Sequence, residues 1–104
     1  MKALTLLLSS AIFLTTSTAT ADEVDDLFRQ ALTAVDGGKL DLAESLFEKA
    51  AGLRGTYDIL GNLGLVEADL GKHDEAATHF RAALKVVPPT VKREKRRIFE
   101  DALE

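Results

Sequence analysis

Few residues of this 104-residue chain have the types and spacing that chemistry needs. There is no Cys, which removes a thiol nucleophile, a disulfide staple and a thiolate metal ligand. The two histidines, His73 and His79, stand six residues apart, on different faces of a helix. A metal shared between them would need carboxylates such as Glu75 brought in by chance, so both histidines are expected at the surface. Glu67 and Asp69 do not share a helix face, which leaves no paired acid and base. No Ser, His and Asp arrangement has geometric support. Gly61 and Gly64 sit inside a helical pattern, where Gly marks close packing rather than a phosphate cradle. Recognition by charge, shape and apolar surface is what remains. A protein without cofactor or metal, and not an enzyme, is the expectation.

Composition narrows the partner. Residues 22–91 hold 13 acidic against 7 basic side chains, and residues 92–104 hold 5 basic and 4 acidic ones. An acidic body disfavours nucleic acid, because phosphates must be met by positive charge. Aromatic residues are also too few for a base-stacking platform. The N-terminus carries Lys2, an apolar run over Ala3–Leu14, a polar stretch over Thr15–Thr18 and the small-residue pattern Ala19-Thr20-Ala21. That order predicts a signal peptide over residues 1–21, cut before Asp22. An uncleaved N-terminal anchor is the alternative, although the run falls short of the roughly 20 residues that span a bilayer. With no stable membrane span after cleavage and no Cys for a lipid, a periplasmic or secreted protein is expected.

The elements that follow are helical. Val24, Leu27, Phe28, Ala31, Leu32 and Val35 recur at spacings of three and four, predicting a helix over residues 23–36 that Gly37-Gly38 ends. Leu42, Ala43, Leu46, Phe47 and Ala50 predict a second over 40–51, followed by a loop at Gly52–Gly55. Thr56 is placed to cap a third, whose inner face carries Ile59, Leu60, Leu63 and Val66, and Gly71-Lys72 stops it. Ala76, Ala77, Phe80, Ala83 and Leu84 form the inner face of a fourth, closed by Pro88-Pro89. A fifth is predicted over Thr90–Leu103, with Val91, Ile98, Phe99, Ala102 and Leu103 on one side and five basic residues on the rest. It is either a solvating cap on the stack or the first helix of a further unit.

Residues 24–56 align on residues 57–89 at an offset of 33. Gly38-Lys39 falls on Gly71-Lys72, Asp41 on Asp74, Ala43 on Ala76, Phe47 on Phe80, Ala50 on Ala83 and Leu27 on Leu60. Such a match marks an internal repeat of a helical hairpin, with small residues for close helix approach and Phe to fill the space between.

Over about residues 24–99 the chain resembles the tetratricopeptide repeat family, whose helix-turn-helix unit is about 34 residues long. In the second unit Leu60, Leu63-Gly64, Ala76, Phe80, Ala83 and Pro88 stand at signature places. Glu67 replaces the usual aromatic and Leu60 the commoner Trp; in the first unit Gln30-Ala31 stands at the Leu-Gly pair and Gly55 at the Pro. The resemblance implies an all-α fold of antiparallel helical hairpins stacked as a short right-handed solenoid. It would form one domain over 22–104, with repeats at about 24–56 and 57–89/90 and a C-terminal helix at 91–103.

The resemblance further implies a concave groove for a protein or peptide, lined by the first helix of each hairpin. Here it would present Asp25, Phe28, Leu32 and Val35, then Asp58, Gly61, Asn62, Leu65, Ala68 and Asp69, then Lys92 and Arg96 from the last helix. The competing reading keeps Phe28, Leu32 and Leu65 as core. Some members clamp a C-terminal carboxylate with two Lys, two Asn and an Arg. Asn62, Lys92 and Arg96 fall on three of those places, but Phe28 and Leu32 stand where a Lys and an Asn are required. Asn62 could equally bond a neighbouring repeat. The expected function is an exported, non-enzymatic scaffold for protein–protein interaction. The alternatives are a self-assembling module, a homo-oligomer through an exposed end of the stack, or the N-terminal part of a larger envelope protein that could be an enzyme.

Overall fold

The structure, a computed structural model, describes residues 20–104. The proposed signal segment therefore lies outside the described residues apart from Thr20 and Ala21. Five helices follow in order: α1 (Ala21–Asp36), α2 (Leu40–Leu53), α3 (Tyr57–Asp69), α4 (His73–Val86) and α5 (Arg93–Ala102). The first four form two helical hairpins, α1/α2 and α3/α4. These stack through α2 and α3, and α5 lies against α4.

Both hairpin turns are made the same way. Gly38 and Gly71 adopt φ of 72° and 81°, a left-handed backbone that only Gly enters without cost. The N–H of Lys39 then donates to the Ala34 carbonyl at 2.8 Å, and that of Lys72 to the Glu67 carbonyl at 2.8 Å. The glycine N–H groups donate to Val35 and Ala68, each at 3.0 Å. The helix is thus closed by paired bonds across its last turn.

The core runs along the stack. Ala31, Ala34, Ala43 and Phe47 of the first hairpin meet Leu63 and Val66 of the second. Val24, Ala50 and Ile59 tie α1, α2 and α3 together. Ala76, Phe80 and Ala83 pack with Phe99 of α5. Phe47 and Phe80 are at most 1% exposed. Each such ring contributes about 2 kcal/mol of burial, a large share for a domain this small.

The helix limits and caps differ from the periodicity, first in α1, which begins at Ala21 rather than Glu23. α2 continues through Gly52 to Leu53, because the Arg54 N–H still finds the Ala50 carbonyl at 2.8 Å, and only Arg54–Thr56 connect it to α3. Thr56 is the N-cap of α3, but its hydroxyl donates to the Asp58 carboxylate, and it is Asp58 that accepts from the Ile59 N–H at 3.0 Å. α5 starts at Arg93 rather than Thr90, and only Phe99 on it is buried. Ile98 is 52% exposed and Ala102 is also exposed, so the expected apolar side of α5 shrinks to Phe99 and half-buried Leu103. Pro88 is exposed: it lies beyond the end of α4 and does not pack between repeats.

Candidate functional site

Two hollows share Asp58 and run along the first helices of the hairpins. One lies between α1 and α3, against Asp25, Phe28, Arg54, Asp58 and Ile59. The other lies between α3 and α5, about 220 Å³, against Tyr57, Asp58, Asn62, Leu65, Lys95 and Ile98. The backbone explains why these side chains converge. Asp58, Asn62 and Leu65 recur at spacings of four and three, on one side of α3. The Asn62 amide donates to the Asp58 carbonyl at 2.7 Å within its own helix, rather than to the neighbouring repeat.

Of the residues singled out in the sequence, Asp25, Phe28, Asp58, Asn62 and Leu65 line these hollows. Phe28 is also half-buried core, edge-on to Phe47 with ring centroids 5.7 Å apart. Val35 is packed into the core, while Leu32 and Asp69 are exposed and line neither hollow. Gly61 is buried, not presented: a Cβ there would lie 2.2 Å from the Phe99 ring. Lys92 faces a separate hollow with Tyr57, Thr90 and Lys95, and Arg96 another with Arg93, Arg97 and Glu100. Asn62, Lys92 and Arg96 thus line three different hollows. The side chains that α5 brings beside Asn62 are Lys95 and Ile98. The register of the last helix, set by where Phe99 anchors, decides this, and periodicity alone does not carry it.

A second cluster lies at the junction of the two hairpins. Glu67, on α3, is 1% exposed. Its Oε1 is 2.6 Å from Nδ1 of His79 on α4, yet neither atom makes a hydrogen bond, so the approach is close but out of line. One carboxylate oxygen from each of Glu44, Glu67 and Glu75 lies within 4.8 Å of the others. Lys72 donates to Glu44 at 2.7 Å. Burial pushes the Glu67 carboxyl above the usual carboxylate range; His79 pulls it down, and Glu44 and Glu75 add to the rise. The hydrogen bond to Glu44 raises the Lys72 ammonium. His79 is therefore half-buried rather than fully at the surface, with α4 turning its Nδ1 toward the buried Glu67. The signal was present in the repeat alignment, where Glu67, Glu75 and His79 fall on Ala34, Leu42 and Leu46 of the first unit.

The outer side of the first hairpin holds the third feature, an open hollow of about 600 Å³ against Ala34, Leu42 and Leu46, rimmed by Asp26, Arg29 and Lys39. Among the described residues, no helix is long and apolar enough to cross a membrane.

No curated protein and no solved structure matches the chain. A family model described as "Tetratricopeptide repeat" matches residues 28–89.

Proposed function

The chain belongs to the tetratricopeptide repeat family, and from that premise we propose that it is an exported, non-catalytic scaffold holding a protein segment along α1, α3 and α5. Such repeats generally mediate protein–protein interaction, and the fold here is an all-α solenoid of that type. The observation that carries the reading is the run of hollows joined at Asp58, with Leu65 39% and Ile98 52% exposed beside it. Apolar side chains exposed beside a polar rim are a surface for burial by a partner. Asp25 and Asp58 favour a segment with positive charge near α1, and Lys95 favours a negative group near α5. Export rests on the sequence of residues 1–21.

Selection of peptides from a displayed random library on the protein, followed by titration of the winners, tests the groove. Leu65→Glu and Ile98→Glu should weaken binding at least about tenfold, the loss of roughly one buried apolar anchor. Leu42→Glu, on the outer face, should leave it unchanged. Peptides that bind Leu65→Glu as well as the natural protein would remove the groove from consideration. Export is checked separately, by the mass and N-terminal residue of the protein recovered from the cell envelope.

Self-assembly is the second reading, favoured by the open apolar hollow on α1 and α2. Sedimentation at rising concentration should then show an oligomer that Leu42→Glu dissociates.

A further inference from the structure

We propose that Glu44, Glu67, Glu75 and His79 form a site for a divalent transition-metal ion that staples the two hairpins together. The residues come from three helices. Glu44 belongs to α2 of the first hairpin, Glu67 to α3, and Glu75 and His79 to α4, four residues apart and so on one side of that helix. An ion among them would bridge both units.

Three observations converge. One carboxylate oxygen from each glutamate lies within 4.8 Å of the other two. Glu67 is 1% exposed, and its Oε1 has no hydrogen-bond partner. Nδ1 of His79 is also enclosed and without a hydrogen bond, although it stands 2.6 Å from that oxygen. A buried carboxylate and a ring nitrogen that face each other out of hydrogen-bonding line are poorly served by one another. An ion that draws the two atoms apart would satisfy both lone pairs. Three carboxylates at one place also repel, and Lys72 supplies only one fixed positive charge. A dication neutralises what Lys72 does not.

The donor set chooses the ion. Three carboxylate oxygens with one imidazole nitrogen suit zinc or manganese, whereas calcium and magnesium take oxygen alone. Tetrahedral bonds of about 2.0–2.2 Å place ligand atoms roughly 3.4 Å apart, so the three carboxylate oxygens must draw in by about an ångström while Glu67 Oε1 and His79 Nδ1 move apart by nearly as much. Glu67 is fixed by burial, but Glu75 is exposed and can swing inward. Lys72 is 44% exposed and can release Glu44 to the ion. The corresponding trio in the first unit, Ala34, Leu42 and Leu46, has no donor atom, which confines the site to the junction.

The test uses the whole protein stripped with EDTA. Zn²⁺ is titrated by calorimetry, and thermal melts are recorded with and without it. The expected result is one equivalent bound and a melting temperature that rises with Zn²⁺, because an ion that binds only the folded state stabilises it. Mg²⁺ should produce neither. Glu67→Gln should abolish binding, and Glu75→Gln, at an exposed position where folding is not at risk, should weaken it at least about tenfold. His73→Ala removes the exposed histidine and should change nothing. The proposal is overturned by no saturable binding, or by binding that survives Glu75→Gln but is lost in His73→Ala. A folded Glu67→Gln protein that binds Zn²⁺ as before would overturn it as well.

Discussion

In the first hairpin Phe28 lies edge-on to Phe47, and both rings belong to the same repeat. In the second, the residue equivalent to Phe28 is Gly61, and the ring that stacks near Phe80 is Phe99, 6.1 Å away and delivered by α5. The hairpins fill the same kind of space from different sources. The first is furnished by its own sequence, whereas the second leaves a slot of one missing side chain for the next helix to fill. The difference extends to the other side of the units, where Ala34, Leu42 and Leu46 correspond to Glu67, Glu75 and His79. A repeat can therefore keep its backbone and its turn while changing both what it asks of its neighbour and what it offers.

The largest effects should come from the rings. Phe47→Ala and Phe80→Ala each leave a cavity at a position at most 1% exposed, and each should cost about 3–5 kcal/mol in urea denaturation. Their partners should separate the hairpins. Phe28→Ala should weaken protection from hydrogen exchange throughout α1 and α2, whereas Phe99→Ala should deprotect α5 and leave α1–α4 nearly as they were. Equal loss in both hairpins from Phe99→Ala would break the comparison.

Gly61→Ala should be next. The new methyl group meets the Phe99 ring at 2.2 Å, with ring atoms on both sides of the contact, so α5 must move. A cost of about 1–3 kcal/mol from overpacking is set against about 1 kcal/mol of gained helix propensity. The net loss should be small in global stability but visible as release of α5, read by hydrogen exchange and by lost peptide binding at Ile98.

The smallest effect concerns the polar junction, measured in EDTA. Converting it to the apolar chemistry of the first unit, Glu67→Leu with His79→Leu, should be neutral or stabilise by about 1 kcal/mol, since well-packed apolar groups often replace a buried pair without loss. His79→Leu alone should destabilise, because it removes the ring 2.6 Å away whose attraction favours the charged form of the buried Glu67 carboxyl. Glu67 also sets a pH dependence. Its carboxyl is raised in the folded protein, chiefly by burial, against His79 and with Glu44 and Glu75. The folded state then holds a proton that the unfolded state has released. The stabilising contribution is present below the ordinary carboxylate range and is lost as pH rises through the folded value. Unfolding free energy measured across that window should fall with pH in the natural protein and flatten in Glu67→Gln.

What could be read from the sequence follows from how locally each feature is determined. The turns at Gly38 and Gly71 were legible because a left-handed residue is a local demand that few side chains meet. Ala43, Ala50, Ala76 and Ala83 were legible as inner positions because they recur at helical spacing and at the repeat offset, and all four are buried. Gly64 was legible as a close contact, and a Cβ there would lie 2.8 Å from Phe80. The register of α5 was not legible, because it is fixed by Phe99 entering the Gly61 slot from another part of the chain. Counting places from the family pattern therefore selected Lys92 and Arg96 where Lys95 and Ile98 stand. The meeting of Glu67 and His79 was hidden for a similar reason: the spacing within each helix does not state which faces turn toward each other across α3 and α4.

The start of α1 has a consequence for the order of events in the life of the chain. The helix begins at Ala21, and the Glu23 N–H is held by both the carbonyl and the hydroxyl of Thr20, at 3.1 and 3.2 Å. The bond between Ala21 and Asp22, where the small-residue pattern would be cut, is thus already wound into the first turn. Peptidases read their substrates as extended strands, so a folded precursor would have to unwind this turn before presenting the bond. On the proposal that residues 1–21 are a leader, its removal would belong to the unfolded chain, before α1 forms. The new amino group at Asp22 would then face the N-terminal end of the helix without the Thr20 cap, leaving Asp22 and Glu23 to balance its charge.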